Sequence, residues 1–87
     1  MPSVTVTVGS RVGLHVRPAA LIAEAVVRSG AVVTLATPGS APVDGGSALM
    51  IMTLGAKQGS EVIVTSDDDT ILARIADMVA ADLDPGA

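Results

Sequence analysis

The sequence predicts an α+β domain in which an antiparallel four-stranded sheet is covered on one face by three helices, in the order βαββαβα. Three observations predict it. Strict alternation in VTVTV (residues 4–8) gives way to a helical pattern from about Val16. Turn signals at Pro38-Gly39 and Asp44-Gly45-Gly46 cut the middle of the chain into short pieces. Near the end, Leu72, Ile75, Val79 and Leu83 are spaced as one buried helical stripe.

Each element has its own reason. In residues 4–8 Val4, Val6 and Val8 share one face while Thr5 and Thr7 take the other, the pattern of a half-buried strand. A loop over 9–13 leads to ALIAEAVVRSG, rich in helix formers, with Glu24 four residues before Arg28 in the favourable orientation for an ion pair. Gly30 suits the left-handed position that ends many helices. Residues 31–37 read as the second strand, and residues 40–43 as a short third strand pairing back on it. Ser47 then precedes ALMIMTL, a short helix with Ser47 as its N-cap, although periodicity also allows a strand there. Residues 61–66, EVIVTS, form the fourth strand. Asp67, Asp68 and Asp69 supply a cap and negative charge at the start of the last helix, which Asp84-Pro85 ends.

Composition narrows the function. A chain of 87 residues holds one domain (1–87), and it lies above the roughly 40 residues below which disulfides or metals are usually needed. Hydrophobic residues make up 49%, yet Phe, Trp and Tyr are absent, so the core must be aliphatic. The net charge of −4 and the lack of stacking platforms argue against a nucleic-acid partner. With no cysteine and one histidine, thiol chemistry and common zinc sites are excluded, and no metal or cofactor is expected. The Asp67–Asp69 run lacks the spacing of an EF-hand loop. No secretory signal pattern opens the sequence, and its longest apolar region is too short to span a bilayer, so a cytoplasmic protein without membrane insertion is expected.

The single histidine lies in GLHVRPAA, residues 13–20. Pro18 lacks an N–H and has a fixed φ, so it fits the first turn of a helix and places His15 at the helix edge. The amides of Val16 and Arg17 there precede the first intrahelical hydrogen bond and favour anions. Arg17 adds a forked donor that fits a phosphoryl group, and Gly13 permits a tight approach that leaves the imidazole exposed. Imidazole, helix amides and guanidinium together suit covalent attachment of a phosphoryl group to His15, and no base stands in the string to activate water. That is carrier chemistry.

GLHVRPAA resembles the active-site signature of HPr, the histidine-containing phosphocarrier family of the bacterial phosphoenolpyruvate-dependent sugar phosphotransferase system. The likeness extends over essentially the whole chain, including Ser47 to Gly55 (SALMIMTLG). It implies an open-faced sandwich. It also implies that His15 accepts phosphate from phosphorylated Enzyme I and passes it to sugar-specific IIA proteins, with Arg17 steadying the phosphoryl group. Such a protein is a covalent intermediate and not an enzyme, and it works as a monomer with transient partners. Val12 departs from the family, many of whose members carry Asn or Ser there.

Ser47 matches the serine that a kinase modifies in some members, which makes it a candidate regulatory phosphorylation site beside its capping role. Leu14, Val16, Leu49, Met50 and Met52 are expected to form an exposed apolar rim for docking partners. The competing reading is a regulatory or anion-binding α+β module that holds its ligand non-covalently at His15 or acts through Ser47.

Overall fold

The structure, a computed structural model, describes residues 2–11 and 13–81. Val12, Leu83, Asp84 and Pro85 therefore lie outside the described residues. The elements are β1 (Ser3–Thr7), α1 (Val16–Ser29), β2 (Val33–Ala36), β3 (Val43–Asp44), α2 (Ala48–Thr53), β4 (Glu61–Ser66) and α3 (Asp69–Ala80). This is the expected order. The four strands form one antiparallel sheet in the order β1-β4-β2-β3, with β1 and β3 at its edges.

Register follows side-chain alternation. Val4 pairs with Val64 and Val6 with Val62, which sets the apolar residues of β1 and β4 on the helix-covered face. Burial of the β1 valines is graded: Val4 is 37% exposed, Val6 half-buried and Val8 fully buried. Val8, Val62, Val64, Val33 and Leu35 meet Ile22 and Val26 of α1, Ile51 of α2, and Leu72, Ile75 and Val79 of α3 in one cluster. Without aromatic rings, the core is built from branched aliphatic side chains.

Two boundaries differ from expectation. The second strand is shorter than 31–37, and the third begins at Val43 instead of Ser40. Ser40 is taken by a turn: its amide donates to the Thr37 carbonyl at 3.0 Å, and its hydroxyl accepts from the Thr37 amide at 3.0 Å. Pro42, which has no N–H, follows before pairing starts.

The helices end as their sequences direct. Gly30 takes φ 71° at the end of α1. The Glu24–Arg28 pair closes at 2.9 Å, but both side chains are exposed, so its contribution is a few tenths of a kcal/mol (~0.3). Ser47 caps α2 through a 3.3 Å bond from the Met50 amide, which settles that segment as a helix. Asp68 caps α3 by accepting from the Thr70 and Ile71 amides at 3.0 and 3.1 Å. Replacing Asp68 with Ala removes both bonds and should cost about 1 kcal/mol. In thermal unfolding this should appear as a fall of roughly 4–8 °C in Tm.

Candidate functional site

His15 is the residue that caps α1. Its backbone is extended (φ −91°, ψ −163°), and its carbonyl accepts the first helical bond, from Ala19 N–H at 2.9 Å. Its imidazole makes no capping bond and is exposed. The usual N-cap employs a short oxygen-bearing side chain to accept from the first amides; the His15 imidazole does not take that role here. Pro18 is the third helical residue and contributes no N–H, so the first turn presents the Val16 and Arg17 amides at the positive end of the dipole. Arg17 is exposed at the second helical position.

The loop that carries His15 is anchored on both sides. Gly13 adopts φ 70°, a left-handed conformation that glycine enters without strain. A Cβ there would also lie 2.5 Å from the Ala56 carbonyl oxygen. Next along the chain, Leu14 N–H donates to that same carbonyl at 3.0 Å. On the other side of the imidazole, the ring of Pro18 is fully buried. His15 therefore projects from a backbone held at Leu14 and Pro18.

Leu14 corrects the expected docking rim. It is 4% exposed and belongs to the core cluster, because the backbone anchor to Ala56 turns its side chain inward. The other rim residues differ among themselves: Val16 is 59% exposed, Leu49 69% and Met50 40%, while Met52 is half-buried against the core. The packing of α2 on α1 places these side chains in one helical layer. Gly13 signals a close backbone approach in the sequence, but that the Ala56 carbonyl meets it is set by a backbone contact between segments distant in the chain.

Ser47 sits apart from His15. The Ala56 end of α2 touches the His15 loop, whereas Gly46, just before α2, approaches Val26 and Val27 in the last turns of α1. Eleven or twelve residues along α1 correspond to about 16–18 Å. A charge at Ser47 would therefore act on a partner covering both helices far more than on the imidazole.

Among the described residues, no cluster of three or more His, Asp or Glu side chains could hold a metal ion. No helix among them is long and apolar enough to cross a membrane.

An exposed imidazole at a helix N-terminus, on an open antiparallel sheet, is the arrangement of a phosphocarrier. Residues 2–81 match the family described as the PTS HPr component phosphorylation site. The chain is 38% identical over 82 residues to the phosphocarrier protein HPr of Streptomyces coelicolor, covering 91% of this chain and 88% of that protein. A crystal structure of HPr from Bacillus anthracis superposes with a TM-score of 0.83 at 28% identity, over 90% of this chain and 95% of that one. The HPr-C-His protein of Thermoanaerobacter tengcongensis gives 0.76 at 26% identity, over 92% and 96% of the two chains. The chain belongs to the HPr family, and its function is that of a phosphocarrier in the phosphotransferase system and not of a catalyst.

Two substitutions separate anchoring from docking. Leu14→Ala should cost about 3 kcal/mol in denaturant unfolding, the typical loss for a buried leucine. Val16→Ala, at an exposed position, should stay within about 0.5 kcal/mol of the parent.

Proposed function

We propose that His15 is the residue that carries the phosphoryl group, taking it from phosphorylated Enzyme I and delivering it to sugar-specific IIA proteins. A ring nitrogen of His15 bonds to phosphorus as the donor's bond to phosphorus breaks, and the reverse exchange passes the group on. The observation that carries this reading is an accessible imidazole at the head of α1 that does not cap the helix. The Val16 and Arg17 amides and the Arg17 guanidinium hold the phosphoryl oxygens, placing positive charge where negative charge builds up. Partners dock on Val16, Leu49, Met50 and Met52, with Leu14 beneath them as support. Residues 1–87 act as one cytoplasmic domain, a monomer between transient encounters.

Incubation with phosphoenolpyruvate and Enzyme I should label the protein with a phosphate that is acid-labile and base-stable. His15→Ala should take up none. If the wild-type chain stays unlabelled beside a competent Enzyme I, the non-covalent anion-binding reading replaces this one. Arg17→Ala should fold normally and slow transfer roughly hundred- to thousandfold, the scale of removing one donor from a developing anion. Unchanged transfer rates in a quench-flow measurement would take Arg17 out of the site.

A further inference from the structure

The edge strand β1 has features that the carrier reaction does not use. Three hydrogen bonds fix which way its backbone points: Val8 N–H to Ser60 O at 2.9 Å, Gly59 N–H to Val8 O at 3.0 Å, and Ser66 N–H to Pro2 O at 3.1 Å. With the register of Val4 on Val64 and Val6 on Val62, the even-numbered residues turn their polar groups toward β4. The N–H and C=O groups of Ser3, Thr5 and Thr7 therefore point outward, along the open side of the sheet. Next in line, the Gly9 amide is taken by Val79 O at 3.1 Å, so the open edge stops there.

Natural sheets guard such edges with lysine, proline or a bulge inside the strand. The five residues of β1, SVTVT, contain neither residue, and their pairing with β4 runs without interruption. Beside the edge lies a groove of about 400 Å³ between β1 and α3. Val4, Val6, Leu72, Ala73 and Ala76 line it together with Asp69 and Asp77, both exposed. Neither aspartate has a salt bridge among the described residues.

We propose that this edge and groove bind an extended segment of a partner protein by strand addition, with the pattern cation–x–aliphatic–x–cation. The backbone of the segment pairs with Ser3, Thr5 and Thr7. Its side chains alternate, so every second one faces the helix layer. Asp69 and Asp77 are eight residues apart on α3, about 12 Å along the axis. About four residues of extended chain span that distance, and residues four apart face the same way. Two cations at that separation reach the two carboxylates while the aliphatic residue between them covers Ala73 and Ala76.

Charge selects this occupant over a second copy of the chain. Antiparallel pairing of two β1 edges would bring four carboxylates to one seam, whereas a cationic segment neutralises them. The carrier site uses residues of α1 and α2 and shares none with this groove, so this proposal stands independently of the phosphoryl-transfer reading.

The test is an amide-resolved NMR titration of the ¹⁵N-labelled protein with the capped heptapeptide Thr-Lys-Thr-Val-Thr-Lys-Thr. Millimolar peptide should shift the amides of Ser3, Thr5, Thr7, Ala73 and Asp77 and slow solvent exchange at Thr5 and Thr7. Asp69→Asn and Asp77→Asn should each weaken binding roughly two- to fivefold and lower its salt dependence, as expected for exposed ion pairs. Both variants should still be phosphorylated at His15 at the parent rate, which separates this test from that of the carrier reading. Three results would overturn the proposal: no response along β1, equal binding of a peptide with Glu for both Lys residues, or edge protection that grows with protein concentration alone. The last would assign the edge to a second copy.

Discussion

The site depends on a backbone contact: the carbonyl of Ala56, against which Gly13 packs and to which the Leu14 amide is bonded. This contact ties the loop before α1 to the segment after α2. It sends the Leu14 side chain into the core and leaves the next residue, His15, facing out. An isolated loop would spread the imidazole over many orientations, and ordering it at each encounter would cost conformational entropy. Here that ordering is done during folding, by hydrophobic burial at Leu14 and Pro18. A carrier that meets one partner after another gains from such preorganisation.

Much of this was legible in the sequence because it rests on local chemistry. The GLHVRPAA string locates the helix start, and Ser47, Asp68 and Gly30 act at the termini where their residue types predict. The alternation in β1 gives its two faces correctly. What was not legible depends on neighbours distant in sequence. Leu14 reads as an exposed apolar residue beside a reactive histidine until Ala56 is seen to pin its backbone. The late start of β3 depends on a turn in which Ser40 serves both amide and hydroxyl, a geometry that composition alone does not specify. Val4 looks like its neighbours Val6 and Val8 in the sequence, yet in the fold it is left exposed along the groove between β1 and α3.

The molecule also distributes polarity unevenly. Around His15 the exposed surface combines apolar side chains with the Arg17 cation, which suits brief encounters driven by shape and desolvation. The β1–α3 side is apolar with two exposed aspartates. A partner matched to one face is electrostatically mismatched to the other. An overall charge of −4 thus says little about recognition until it is resolved onto faces.

The sheet's connectivity has a consequence for biogenesis. Ser3 pairs with Thr65 and Thr7 with Glu61, so β1 leaves the ribosome long before the strand it pairs with. Until β4 emerges, β1 has no neighbour in the sheet, because its other side is an edge. Closure across so long an interval is entropically slow compared with forming the helices between them. Co-translational folding should therefore begin with α1, β2 and the turn to β3, while the nascent VTVTV segment stays available to chaperones until β4 has emerged.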